Sequence, residues 1–68
     1  MHNHFKVYCG PAIVHQLAEL LRNYRVEVTC EGTEHVYVKT WMTQAGLHTT
    51  LREMVSGIKY TDIMPCHN

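Results

Sequence analysis

The sequence has no surplus of either charge, because six Lys and Arg residues balance six Asp and Glu residues among its 68 residues. A basic stripe, the usual mark of a nucleic-acid-binding domain, is therefore missing. The chain also lacks an apolar run long enough to cross a membrane. Its start, Met1 to His4, is too polar for a secretory signal peptide. These absences predict a cytoplasmic domain with no membrane partner.

The residue types that carry most catalysis are scarce. Ser56 is the only serine and Asp62 the only aspartate, so no nucleophile–base–acid set can be assigned. The glutamates fall on predicted turns and exposed helix faces, which leaves no convergent acid/base pair. No glycine-rich phosphate loop occurs either. We expect a protein that binds rather than catalyses and that carries no cofactor.

A chain of this length buries only about 60% of the surface that its unfolded form exposes, so its core is small. Domains of this size usually gain stability from disulfides, a metal ion or a second subunit. The three cysteines, Cys9, Cys30 and Cys66, are odd in number, which does not favour a closed set of disulfides.

Apolar spacing predicts six elements in the order β-α-β-β-α-β. Alternating apolar and polar residues indicate strands, and apolar residues on one side of a 3.6-residue repeat indicate helices. The predicted strands cover 5–9, 25–30, 35–41 and 58–64, and the predicted helices cover 12–24 and 43–57. Pro11 suits the start of the first helix, and Thr43 is a candidate cap for the second.

Several faces and turns follow from this pattern. The inner stripe of the first helix is predicted to contain Ile13, Val14, Leu17, Leu20, Leu21 and Tyr24. In the second strand, Val26, Val28 and Cys30 share one face. Gly32 lies in the next turn, where it is free to take a positive φ. The facing of the last strand is ambiguous, because Ile58, Tyr60 and Met64 share one side with Asp62 while Ile63 takes the other.

The order of elements predicts a single α+β domain over residues 1–68, built as a ferredoxin-like sandwich. Right-handed crossovers place the strands in the order 4-1-3-2, all antiparallel, with both helices on one face. Residues 1–4 and 65–68 are predicted to be flexible tails. A fold of this kind does not by itself indicate a function.

In this topology the first and third strands are neighbours at the centre of the sheet. An open patch of three aromatic residues and two lysines on their helix-free faces usually has a function. The predicted binding residues are Tyr8, Tyr37, Lys39 and Trp41, with Lys6 and His35 on the rim.

Three partners fit such a surface. A second copy of the chain would add to a small core, two-fold dimers are common, and Tyr and Trp are favoured interface anchors. A small regulator or inhibitor, such as one carried by a virus or mobile element, would use the same anchors on another protein. Single-stranded nucleic acid could stack on Tyr8 and Tyr37, although residues 37–41 do not match the glycine- and phenylalanine-rich pattern of RNA-recognition domains. We favour the homodimer; the simplest alternative to any partner is cross-strand packing of these side chains among themselves.

The run Val7-Tyr8-Cys9-Gly10-Pro11-Ala12 stands where the first strand passes into the first helix. It resembles a fragment of the thioredoxin and glutaredoxin active-site turn, whose usual pattern is Cys-Gly-Pro-Cys. The resemblance implies a monothiol redox role for Cys9, since a helix N-terminus lowers the pKa of a thiol. Ala12 stands in place of the second cysteine, however, and no later proline fits the cis-proline of those enzymes. The alternative is a buried structural thiol.

The predicted topology also bears on the cysteines. Cys9 and Cys30 end strands that lie two spacings apart, about 9–10 Å. A disulfide needs Cα atoms within about 7 Å of each other. Because Cys66 lies near the opposite end of the sheet, all three thiols are predicted to be free.

The two chain ends meet in this topology, because the first and last strands are antiparallel neighbours. That brings His2 and His4 near Cys66 and His67, and imidazole and thiolate are ligands that zinc prefers. The spacing of these residues matches no established zinc motif, and terminal residues commonly fray. We therefore predict polar chain ends rather than a metal site.

Overall fold

In a computed structural model of the chain, the structure describes residues 2–54 and 60–66. The strands are β1 (Asn3–Tyr8), β2 (Glu27–Glu31), β3 (His35–Thr40) and β4 (Asp62–Pro65), and the helices are α1 (Val14–Asn23) and α2 (Gln44–Met54). A short 3-10 helix, Pro11–Ile13, precedes α1. The predicted α+β class and the chain order of the elements are confirmed. The predicted end of the second helix and residues 58–59 of the last strand lie outside the described residues.

The four strands form one antiparallel sheet in the order β2-β3-β1-β4. β1 pairs with β3 over its whole length, from Asn3 opposite Thr40 to Tyr8 opposite His35. On its other side β1 pairs with β4, and the N–H of Cys66 donates to the carbonyl of His4 at 2.8 Å. Asn3, His4 and Pro65, which are predicted to belong to flexible tails, therefore lie in paired strands.

One side of the sheet and both helices share a single hydrophobic core. Four leucines, Leu17 and Leu21 from α1 and Leu47 and Leu51 from α2, are fully buried. Burying each of them contributes about 1.5–3 kcal/mol relative to an exposed position. The sheet residues of this core are Phe5, Val7, Val36, Val38 and Ile63. Because Ile63 is buried, the facing of the last strand is settled: Asp62 and Met64 point away from the helices.

The helix starts follow the predicted signals. Pro11 occupies the first turn of the 3-10 helix, and Gly10 precedes it with a φ of 89°, a conformation that glycine adopts without strain. Thr43 caps α2, because its hydroxyl accepts a hydrogen bond from the N–H of Gly46 at 3.1 Å. Within the described residues, no helix is both long and apolar enough to cross a membrane.

Two backbone hydrogen bonds terminate α1 at its C-terminal end, where the chain turns back towards β2. The N–H of Val26 donates to the carbonyl of Leu21, and the N–H of Arg25 donates to that of Arg22, both at 3.0 Å. This pattern is a Schellman motif, which requires a left-handed residue after the last turn. Arg25 takes that position with a φ of 65°. Tyr24 caps the helix and is 54% exposed, so its predicted place on the inner stripe is wrong.

We expect Arg25→Gly to raise the free energy of unfolding by about 1 kcal/mol, because glycine adopts the left-handed conformation without the cost that a Cβ imposes. Chemical denaturation of both proteins measures the difference. Asn23→Gly is the matched control and should destabilise, since Asn23 lies inside the helix. A loss of stability in Arg25→Gly would contradict this explanation.

Candidate functional site

The face of the sheet opposite the helices is the candidate site, and we call it the open face. No described element covers it. Because strand residues alternate in direction, six side chains of β1 and β3 lie on the open face, and all six are partly exposed. They are His4, Lys6, Tyr8, His35, Tyr37 and Lys39. The outer strands add four more side chains at its margins, namely Glu27, Cys30, Asp62 and Met64.

Three rings form a cluster on the central strands β1 and β3, towards one end of the open face. The ring of His35 lies 5.3 Å from that of Tyr8 and 4.8 Å from that of Tyr37, the second pair edge to face. These distances fall within the range in which aromatic pairs attract each other. The ammonium of Lys6 lies 5.5 Å from the centre of the Tyr37 ring, a cation–π contact. Thus Lys6 and His35, predicted for the rim, both contact the tyrosine rings.

The charges of the open face balance. Lys39 lies opposite Glu27 in the pairing of β3 with β2. In the pairing of β1 with β4, Lys6 lies opposite Met64, and Asp62 lies two residues from Met64 on the same side of the sheet. Two lysines and two carboxylates therefore share this surface, and its net charge is zero when the histidines are neutral. The surface offers no basic footprint for a polyanion.

Trp41 has a different position from the one predicted. β3 ends at Thr40, and Trp41 follows in a bend at the end of the sheet. Its side chain is 67% exposed, and its ring lies 3.9 Å from that of His2. The indole therefore extends the surface beyond the last row of the open face rather than standing among the central rings.

A β-bulge in β2 places Cys30 on the open face. Val28 lies opposite Val38, but Cys30 lies opposite Tyr37, so Thr29 is one extra residue in β2. The extra residue reverses the alternation, so Val28 packs on the core while Cys30 is exposed. The prediction that Cys30 shares a face with Val28 is wrong for this reason. No sequence signal marks the bulge.

Gly32 is required by close packing rather than by its backbone angle. Positive φ values among the described glycines occur at Gly10 alone, so the prediction for Gly32 is wrong. A Cβ built on Gly32 would lie 2.4 Å from Nε2 of His35. The imidazole thus lies directly over the glycine. Across the β2–β3 turn, the N–H of Gly32 donates to the backbone carbonyl of His35 at 2.8 Å. Gly32 in this way fixes the position of the central ring.

A shallow groove of about 600 Å³ lies at the end of the open face where β1 meets the start of β4. It is lined by Tyr8, Cys9, Gly10, Glu34, Thr61, Asp62 and Met64. Burial raises the pKa of the Cys9 thiol, so less thiolate is present at neutral pH than for an exposed thiol. This direction is opposite to the one that the thioredoxin-like resemblance implies. Cys9, Cys30 and Cys66 are free.

The four candidate metal ligands are only partly described. His2 lies against Trp41, and His4 joins Cys66 through the backbone. His67 lies outside the described residues. Across residues 2–54 and 60–66, no three His, Cys, Asp or Glu side chains are arranged to hold a metal ion.

No protein-family model matches this chain, and comparisons with curated proteins and with solved structures return no match. Any functional inference therefore depends on the chemistry of the chain's own residues.

We expect Gly32→Ala to destabilise the protein by about 1–3 kcal/mol, because the new methyl group collides with the His35 ring. The same substitution in a His35→Ala background should cost much less, since the obstacle is gone. Denaturant unfolding of the four proteins in this double-mutant cycle measures the coupling. Equal costs in both backgrounds would show that the glycine does not hold the imidazole.

We expect Cys30 to react with iodoacetamide faster than Cys9 at neutral pH, because Cys30 is exposed and burial raises the pKa of Cys9. Mass spectrometry of partly alkylated protein gives both rates. In denaturant the two rates should converge. A faster reaction at Cys9 in the folded protein would instead support the redox role that its sequence resemblance implies.

Proposed function

We propose that this chain is a small binding protein of ferredoxin-like topology that forms a homodimer through the open face. The strand order β2-β3-β1-β4, read from the β4 edge, corresponds to the order 4-1-3-2 of that sandwich. The observation that carries the proposed function is the cluster of Tyr8, His35 and Tyr37 rings on a sheet surface that no described element covers.

The chemistry of the open face supports a second copy as its occupant. Tyrosine is a favoured interface anchor because it is large, stiff and able to form a hydrogen bond at one end. Met64, which is 45% exposed beside these rings, adds a flexible apolar side chain. Zero net charge allows two copies of the surface to face each other without net repulsion, and a two-fold arrangement can place each lysine against a ring or carboxylate of the other copy.

The edges of the sheet are less suited to association than its face. On β4, the outward N–H of Ile63 donates to the Asp62 carboxylate at 2.8 Å, and its carbonyl accepts from the Gln44 amide at 2.6 Å. Pro65 has no N–H to offer. The β2 edge is interrupted by the bulge and carries Glu27 and Glu31. Bulges, charges and proline are the usual means by which proteins protect strand edges from pairing.

The size of the open face indicates the strength of the dimer. Four strands of this length cover a rectangle of about 20 by 20 Å, or about 400 Å² of flat area per copy. Two copies together would bury about 800 Å², which is below the roughly 1,200 Å² of stable complexes and within the range of weak, transient ones. We therefore expect a reversible dimer with a dissociation constant in the micromolar range.

Single-stranded nucleic acid is the second candidate, because Tyr8 and Tyr37 lie on adjacent central strands, with Lys6 directly opposite Tyr37. Stacked bases bind to such pairs in RNA-recognition domains. Two features favour the homodimer instead. The His35 ring already contacts both tyrosines, and Glu27 and Asp62 cancel the charge of the lysines.

We expect Tyr37→Ala to raise the dimer dissociation constant at least about tenfold, because each interface loses two central anchors. Analytical ultracentrifugation in reducing buffer over a concentration series measures this constant. Tyr24→Ala is the matched control: Tyr24 is equally a tyrosine and 54% exposed, but it lies at the end of α1, away from the open face. Its dissociation constant should equal that of the wild type.

The other outcomes of this experiment are distinct. An unchanged dissociation constant in Tyr37→Ala would remove the open face as the interface. A monomer at every concentration would overturn the homodimer and leave another protein, or single-stranded oligonucleotides bound at low salt, as the partner. A dimer that dissociates when a chelator is added would point to the His and Cys residues near the chain ends.

A further inference from the structure

Two histidines lie within the open face and bear on how a dimer formed there would be regulated. His35, the first residue of β3, lies at one end of this face, between the rings of Tyr8 and Tyr37 and over Gly32. Its Nδ1 is buried and has no hydrogen-bond partner among the described residues. No carboxylate or carbonyl of the described chain therefore contacts that nitrogen to stabilise a proton on it.

His4 lies on the neighbouring strand β1, near the other end of the open face. It faces Lys39 directly across the pairing of β1 with β3. Lys6, two residues along β1, projects on the same side. A proton on His4 would thus add a positive charge beside two ammonium groups. On its other side, the N–H of Cys66, the residue after β4, donates to the carbonyl of His4.

The remaining titratable groups around these histidines offset such charges only in part. β1 and β3 contribute Lys6, Lys39 and the two tyrosines; β2 contributes Glu27 and Cys30; β4 contributes Asp62; and the β2–β3 turn contributes the exposed Glu34. Glu27 already lies opposite Lys39, and Asp62 already accepts the N–H of Ile63. Among the described residues, Glu34 is then the one remaining carboxylate beside His35, and protonation of both histidines adds two positive charges to each copy of the open face.

We propose, on the basis of the homodimer proposed above, that acidification releases it: protonation of His4 and His35 separates the two open faces. In the monomer these imidazoles border water, which stabilises the charged form. In the dimer they are desolvated and face the same groups of a second copy. The dimer therefore binds fewer protons than two monomers, and falling pH shifts the equilibrium towards monomers. Histidine is the side-chain type whose unperturbed charge change lies between about pH 5 and 8, which sets the range to be tested.

Sedimentation velocity of the full chain at about pH 7.5 and about pH 5.5 tests this inference. The dissociation constant of the wild type should rise at least about tenfold at the lower pH. A His4→Asn, His35→Gln variant should have the same dissociation constant at both values. His15→Gln is the matched control, because His15 is an exposed histidine on α1, and it should keep the wild-type pH dependence.

Several outcomes would overturn the inference. A wild-type dimer with the same dissociation constant at both pH values would remove the switch and leave the homodimer intact. Equal acid release in the double variant would assign the effect to other groups. If the double variant does not fold, His4→Asn alone should show a smaller pH dependence than the wild type, and an unchanged dependence would contradict the role of His4. A monomer at both pH values would overturn the homodimer itself.

Discussion

Both helices of this protein pack on the same side of a four-stranded sheet, and the rest of the structure depends on that one-sided cover. The buried side of β1 and β3 is aliphatic and joins α1 and α2 in one core. The other side has no helix among the described residues. Because strand residues alternate in direction, every second residue of the two central strands must be accommodated on the uncovered side. The chain places rings and balanced charges there.

The ring of His35 is positioned by Gly32 on one side and by two tyrosine rings on the others. Gly32 leaves room beneath the imidazole of His35, and the tyrosines of the two neighbouring positions contact its faces and edge. The resulting surface is ordered before any partner arrives, which lowers the entropy lost on binding. At the same time, the side-chain hydrogen bonds of β4 and the bulge of β2 discourage pairing along the sheet edges. These features together support the proposed association through the open face rather than through an edge.

Much of the fold could be predicted because the apolar pattern is regular. Alternation in β1 and β3 correctly predicts which of their residues are buried and which lie on the open face. Helical spacing correctly predicts that Leu17 and Leu47 are buried. The bulge could not be predicted, since inserting one residue in β2 leaves no trace in composition and yet reverses the facing of Cys30. The helix end at Tyr24 depends on Arg25 adopting a left-handed conformation, which the sequence does not favour.

Most residues of the candidate site could be predicted from the sequence, but the contacts between their side chains could not. Tyr8 and Tyr37 follow from strand parity alone. The central role of His35 depends on its contact with Gly32 across the turn, and the contribution of Met64 depends on the facing of a strand with an ambiguous pattern. Trp41 follows the last residue of β3, so parity no longer determines its direction. Contacts made across turns and beyond strand ends are determined by tertiary packing rather than by local sequence.

The most direct test of the proposed homodimer is an isotope-filtered NOE experiment on a mixture of labelled and unlabelled protein at neutral pH. Homodimerisation through the open face predicts contacts between protomers from the rings of Tyr8 and Tyr37 to the side chains of Lys6, Tyr37 or Met64 in the other copy. Intermolecular contacts confined to α1, α2 or the β2 edge, or the absence of any such contact at high concentration, would contradict it.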